Sequence, residues 1–324
     1  MDTVLVTHGI PSEGLAELRQ SCQVLMPPPG DAYTRSELQA LLPTADAVLA
    51  CGALDGELIR LGARLKIISN YGAGYDRIDV AQASACGIPV TAIPDATSGA
   101  TAELALALIL AVERRVGEMT LRARQEPPEE LFGMGKYMGR TLRGLRLGIV
   151  GLGHIGRETA QMASAFGMKT AYYSRRKAGE EAGARYVSSL EALLRESDVL
   201  SLHCPLTSET RGMLDRERLL LMPKGASIIN TARGGILDYD ALYELLCSGH
   251  LSGAGLDVYP DEPHMPSHLL TLPQVVTTPH IGTNTASTRE DMAREAAAHI
   301  REALSGVPVT EVVNPGWERH IRRT

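Results

Sequence analysis

Nothing in this chain offers a global positive field, a cysteine framework or a long apolar run. Its 324 residues carry 32 Lys and Arg against 38 Asp and Glu, a formal charge of −6, so nucleic acid is excluded as an expected partner. The five cysteines (Cys22, Cys51, Cys86, Cys204, Cys247) are odd in number, scattered and without a C-x-x-C pair, which argues against disulfide stapling and against a zinc site. The longest apolar run, residues 104–112, is about half of the roughly 18 residues a membrane span needs. The N-terminus has neither the basic start nor the apolar core of a signal peptide, and neither a solenoid-period repeat nor a low-complexity tract is visible. These absences lead to the expectation of a cytoplasmic protein in a reducing compartment, with no membrane partner and no metal.

What is present is the balance of a soluble globular protein, 44% hydrophobic and 22% charged, long enough for two domains at roughly 100–200 residues each. Short runs rich in Val, Ile, Leu and Ala (4–7, 47–50, 65–69, 147–150, 169–173, 199–202, 227–230, 253–257 and 275–277) alternate with helix-length segments. That alternation predicts a parallel α/β architecture, and the near-continuous apolar character predicts strands covered on both faces. A long apolar helix is expected over about 101–122, a surface loop over 125–143 around Pro127-Pro128, and a capped helix over 285–304.

The run Leu147-Gly148-Ile149-Val150 leads directly into Gly151-Leu152-Gly153-His154-Ile155-Gly156, and a helical stretch follows. This is the setting in which G-x-G-x-x-G binds a dinucleotide: a tight turn at Gly151, close approach to pyrophosphate at Gly153, helix–strand contact at Gly156, and amide donors at the helix start. The next run ends at Ser174-Arg175-Arg176-Lys177, with no carboxylate where an NAD site would place one for the ribose hydroxyls. A hydroxyl followed by guanidinium groups suits a 2′-phosphate, so NADPH is the expected coenzyme and NADH the second; the competing reading is a solvated cationic turn.

Beyond the fingerprint, Arg233, Glu262 and His280 each stand just after a predicted strand, where open α/β sheets gather their reactive groups. These types suit reduction of a 2-keto acid. Arg233 would bind the substrate carboxylate and stabilise charge growing on the keto oxygen. His280, held by Glu262 and favoured in its protonated form, would give that oxygen its proton. Two further histidines, His264 and His268, are four apart, but Pro263 and Pro266 argue against a helical metal pair. Cys204 has no evident adjacent base to make it a nucleophile.

Across essentially its whole length the sequence resembles the D-isomer-specific 2-hydroxyacid dehydrogenase family. The resemblance rests on ordered motifs: Gly72-Ala73-Gly74-Tyr75-Asp76 with Asp79, Thr101-Ala102-Glu103, the glycine-rich turn, Asn230-Thr231-Ala232-Arg233-Gly234, Gly253-Ala254-Gly255-Leu256-Asp257-Val258, Asp261-Glu262-Pro263 and Thr278-Pro279-His280-Ile281-Gly282. It implies two Rossmann-like domains with a cleft between them, a substrate domain from 1–97 and 288–324 and an NAD(P)-binding domain over 98–287. It also implies a triad of Arg233, Glu262 and His280 and a substrate carboxylate held by the Ala73-Gly74 amides. Further coenzyme contacts follow from it: Thr101 near the nicotinamide, His203-Cys204-Pro205 on the adenosine side, Thr231-Ala232 beside the nicotinamide ribose, and Asp257 on the carboxamide, with Gly282 closing the last motif. A homodimer through the coenzyme domains is implied as well.

Two departures stand out. His154 occupies a fingerprint position where relatives often carry Arg or Lys, and Ser174-Arg175-Arg176 replaces the acidic signature, which resembles the NADPH-preferring glyoxylate/hydroxypyruvate reductase branch that includes 2-ketogluconate reductases. The loop 125–143 lacks the tryptophans of many relatives. Asn70 and Tyr71 are read equally as substrate contacts or packing residues. The expected activity is NADPH-dependent reduction of glyoxylate or hydroxypyruvate to the D-2-hydroxy acid. A 2-ketogluconate or bulkier 2-keto acid reductase is the alternative, and a nicotinamide-dependent corepressor-like binding protein is the alternative of another class.

Overall fold

The structure is a computed structural model that describes residues 1–179 and 181–320; residues 321–324, placed by sequence in the substrate domain, lie outside the described part. The chain forms two compact units, Met1–Thr97 with Thr283–Thr324, and Ser98–Gly282. The return to the first unit comes at Thr283 rather than at 288. Thr285 is already the N-cap of the returning helix Ala286–Leu304, its side chain accepting from the Thr288 N–H.

In the first unit, β1 (Asp2–Val6), β2 (Cys22–Leu25), β3 (Ala47–Ala50), β4 (Ile67–Asn70) and β5 (Val90–Thr91) form an all-parallel sheet in the order β2-β1-β3-β4-β5. Strand alternation sends Ala47 and Leu49 to one face and Val48 and Ala50 to the other. One face is covered by Met292, Ala293, Ala296, Ala297 and Ile300 of the returning helix, whose alanines let it sit close. The other packs against Leu38, Leu42, Leu58, Ile59 and Ala83.

In the second unit, β6 (Arg146–Val150), β7 (Lys169–Tyr173), β8 (Arg185–Tyr186), β9 (Val199–Leu202), β10 (Ala226–Asn230), β11 (Leu251–Leu256) and β12 (Val275–Thr277) run parallel in the order β12-β11-β10-β9-β6-β7-β8. The order reverses between β6 and β9, the switch point at which such sheets bind ligands. Strands β2, β5 and β8 were not read from the sequence. All three are outermost in their sheets, and β5 and β8 are two residues long, too short to carry a periodic signal.

The helix expected over 101–122 is two helices, Pro94–Glu113 and Val116–Gln125. The break falls at Arg115, which adopts a left-handed backbone (φ 55°) and turns its guanidinium onto Glu118. By length and composition Pro94–Glu113 is apolar enough to cross a membrane, a signal that the shorter run read from the sequence did not give. A buried core helix passes the same test, and Leu106, Leu108 and Ile109 pack against Ile149 and Ile229 of the second sheet. The segment expected to be all loop contains one short helix, Pro128–Leu131. The segment is fastened by the pair of the partly exposed Arg140 with the buried Glu113 (Nε to Oε2, 2.6 Å), while Ser227 Oγ donates to Glu113 Oε1 at 2.6 Å.

Candidate active site

At the switch point the glycine-rich turn is built by steric necessity. Gly151 has φ +96°, and a Cβ there would lie 2.8 Å from the His203 carbonyl oxygen; one on Gly156 would meet the Gly151 carbonyl oxygen at 2.2 Å. A Cβ on Gly153 would meet nothing within 4 Å, so space is open beside the start of the helix His154–Ala165. Those first N–H groups and the helix dipole favour an anion. His154 and Ile155 open that helix, His154 exposed.

Ser174 directly follows the neighbouring β7 and ties the turn together, its Oγ accepting from the Leu152 N–H at 3.0 Å. The hydroxyl proton of Ser174 is not used by that bond, so the residue positions the turn and keeps a donor. Arg175 and Arg176 follow, both exposed, and Arg175 pairs with Glu209. Across the switch point, His203 Nε2 bonds Ser201 Oγ at 2.8 Å, and burial pulls the imidazole down to about 4, so it is neutral near pH 7. Burial pushes the neighbouring Cys204 thiol up to about 11, the opposite of what a nucleophile needs. Pro205 accepts at its carbonyl from Thr210 Oγ1.

A second cluster lies past β10, β11 and β12. Asn230 shapes the turn after β10, its amide donating to the Arg233 carbonyl (3.0 Å) and its Oδ1 accepting from Ala232 N–H (3.0 Å). The Arg233 guanidinium donates to the Ala232 carbonyl at 2.8 Å. Thr231 Oγ1 is buried with no hydrogen-bond partner among the described residues. An orphaned buried hydroxyl directly after a strand of the sheet that carries the open glycine turn is what a nucleotide-binding surface leaves for its ligand to satisfy, and the donor set fits a nicotinamide dinucleotide.

Glu262 and His280 are brought together, Oε2 to Nδ1 at 2.9 Å, with the His280 side chain 48% and that of Glu262 16% exposed. The other Glu262 oxygen, Oε1, accepts from the Tyr259 N–H at 3.1 Å. A carboxylate only accepts, so Nδ1 carries its proton and Nε2 is left for proton exchange. His280 has a left-handed backbone (φ 53°), a conformation costly for a non-glycine residue and concentrated at functional sites.

Asp257 holds that conformation. Its carboxylate accepts from Thr278 Oγ1 (2.7 Å), Ile281 N–H (2.8 Å) and Gly282 N–H (3.0 Å). Burial raises its pKa, and these bonds hold the rise back only in part. A Cβ on Gly282 would lie 3.4 Å from Thr101 Cγ2 and 3.3 Å from Asp257 Oδ2, so Thr101, Asp257 and Gly282 are neighbours. The family resemblance gave Asp257 a ligand contact and not this fastening role, nor the turn-shaping bonds of Asn230 and Tyr259; the Asp257 partners lie 21–25 positions away, and the other bonds go to backbone groups or a side chain that no motif pairs with them.

In the first unit, the turn after β4 is likewise built from within. Asn70 donates from one amide nitrogen to the carbonyls of Gly72 (2.7 Å) and Gly74 (3.2 Å), while the Ala73 and Gly74 N–H groups donate to no described residue. Tyr71 donates to the Arg289 carbonyl at 2.6 Å, and the Arg289 guanidinium lies over its ring. Asn70 thus shapes the loop, and Tyr71 packs against Arg289. His264 and His268 turn to different acidic residues, Asp261 and Asp240, each at 3.6 Å.

The family profile for the NAD-binding domain of D-isomer specific 2-hydroxyacid dehydrogenases matches residues 106–282. A glyoxylate reductase of Thermococcus litoralis is 40% identical over 319 residues, 96% of this chain and 96% of that protein. A solved protein of Thermus thermophilus superposes with a TM-score of 0.87 at 40% identity, covering 96% and 99% of the two chains. An NADPH-dependent glyoxylate/hydroxypyruvate reductase of Sinorhizobium meliloti, solved with NADP and malonate, gives 0.85 at 28% identity, covering 100% and 99%.

Proposed function

This chain belongs to the D-isomer specific 2-hydroxyacid dehydrogenase family, an oxidoreductase with an NAD(P)-binding domain, and we propose that it reduces glyoxylate or hydroxypyruvate with NADPH. The observation that carries the reading is the Glu262–His280 pair, 2.9 Å apart, in the same unit as the glycine-rich turn. The names of the relatives support a small 2-keto acid, and Ser174-Arg175-Arg176 supports the phosphorylated coenzyme.

The bound nicotinamide would supply the hydride for the keto carbon. Arg233 binds the 2-keto carboxylate and stabilises the negative charge that develops on the keto oxygen. His280, doubly protonated, gives its Nε2 proton to that oxygen, and Glu262 balances the charge of the imidazolium before transfer and fixes the ring afterwards. Run backwards, neutral His280 takes the hydroxyl proton. Gly151, Gly153, His154, Ile155 and Gly156 would hold the pyrophosphate, Thr231 and Ala232 the ribose, and Thr101, Asp257 and Gly282 the nicotinamide end. His203, Cys204 and Pro205 would border the adenosine.

The Ala73 and Gly74 amides are assigned to the substrate carboxylate, with Asn70 holding their loop. Asn70→Ala is expected to raise KM for the keto acid about tenfold with a smaller change in kcat, because misplaced donors weaken binding before they touch proton transfer. Steady-state kinetics at saturating NADPH check it; an unchanged KM would remove Asn70 from this role.

The protein is further assigned a homodimer through its second unit. Val116, Leu121, Phe132, Met134 and Met138 are large, exposed and apolar, and all lie between 116 and 138. Beside them is a 350 Å³ hollow whose wall mixes Val112, Met138 and Val276 with the charged Arg115, Glu118 and Arg140. Sedimentation is expected to give twice the 34.7 kDa of the chain, and Phe132→Glu with Met134→Glu to shift it toward one.

Initial rates of NADPH and NADH oxidation with glyoxylate, hydroxypyruvate, pyruvate and 2-ketogluconate test the whole reading. Fastest turnover is expected with NADPH and one of the first two acids. Preference for 2-ketogluconate would replace the substrate, preference for NADH would replace the coenzyme, and no turnover at all would favour a binding role.

A further inference from the structure

Tertiary structure brings to Arg175 a carboxylate that the sequence around β7 lacks. Glu209, on the loop after β9, pairs with it at 2.6 Å between Oε2 and Nη1. The placement is built into the loop by two threonines. Thr210 Oγ1 donates to the Pro205 carbonyl at 2.6 Å and accepts from the Thr207 N–H at 2.8 Å, while Thr207 Oγ1 accepts from the Glu209 N–H at 3.2 Å and the Thr210 N–H at 3.3 Å. The pair itself is open to solvent, its side chains 71% and 64% exposed, so it adds little to folding stability.

Its consequence is for what else Arg175 binds. Resting on the NADPH reading above, we propose that Glu209 is a specificity-determining residue that competes with the 2′-phosphate of the coenzyme for the Arg175 guanidinium. Carboxylate and phosphate use the same planar fork of donors. A phosphate arriving at Arg175 must displace Glu209 and then lie near a charge of its own sign. NADH presents a neutral hydroxyl there, asks for no exchange and leaves the ion pair in place. Glu209 therefore holds down the preference for NADPH without acting on NADH, and the ratio of the two affinities is set by this contest rather than by the arginines alone. The neighbouring Lys177 is drawn toward Glu181 at 3.5 Å, so carboxylates temper two of the three cations that follow Ser174.

Fluorescence titration of NADPH and NADH into the whole protein tests this with four forms: wild type, Glu209→Gln, Arg175→Ala and the double variant. Glu209→Gln is expected to tighten NADPH about fivefold, the upper end for an exposed ion pair, with NADH moving less than about twofold. In the Arg175→Ala background the same change is expected to gain less than about twofold, because the contested cation is gone. An unchanged ratio of affinities, a weaker NADPH complex or a weaker NADH complex would each overturn the proposal, the last by making Glu209 a ribose acceptor. Failure of the NADPH reading itself shows separately: wild type would bind NADH more tightly, and Arg175→Ala would affect both coenzymes alike.

Discussion

His280→Ala is expected to lower kcat for 2-keto acid reduction by about 10²–10⁴-fold, the span that a positioned proton donor contributes, while the NADPH dissociation constant stays within about twofold. The separation follows from how the residue is held. Its backbone N–H bonds the Asp257 carbonyl, and Asp257 in turn binds the next two amides and Thr278, none of which needs the imidazole. Alanine therefore removes the proton donor and leaves the loop and its neighbours Thr101 and Gly282 in place. The Glu262 carboxylate keeps its bond from the Tyr259 N–H. Steady-state rates alongside coenzyme titration check the split. A coenzyme affinity that falls in step with kcat would mean that His280 builds the nucleotide site and does not move the proton.

Arg175→Ala is expected to weaken NADPH by about 1–3 kcal/mol, roughly 5- to 150-fold, with NADH changed less than about twofold. A doubly charged phosphate gains most from a guanidinium that can meet two of its oxygens at once. Arg175 stands after Ser174, whose hydroxyl already braces the glycine-rich turn through Leu152, so the cation is placed at the end of β7 where the ribose is expected. The substitution sits on an exposed side chain and asks nothing of the core. Equal weakening of both coenzymes would assign Arg175 to the pyrophosphate or to general attraction of anions.

Both results would rest on features readable before any coordinates. The β6 run, its glycines and the following helix lie within one continuous stretch, so spacing alone carries their meaning. The same holds for Ser174-Arg175-Arg176, whose role depends on lying one strand further on. Nine apolar runs were legible because central parallel strands are buried on both faces and cannot hide polar positions. The strands β2, β5 and β8 were not, since two of them are only two residues long and the third, Cys22–Leu25, is interrupted by Gln23. The split at Arg115 was equally hidden, because the residues around it keep helical periodicity while one backbone angle reverses.

The chemistry on offer is legible along the chain: a glycine turn before a helix start, cations in place of a ribose carboxylate, and an Arg, a Glu and a His each beyond a strand. Which of these groups meet is visible only in the folded chain. The Glu262 and His280 side chains come within 2.9 Å, and Arg175 meets Glu209 across 34 positions. Asn70 and Asp257 are also seen to fasten their loops. The reason is physical. A strand or a helix start is specified by neighbours in the chain, whereas a hydrogen bond between loop ends depends on strand order, and strand order is fixed by how whole sheets bury their faces.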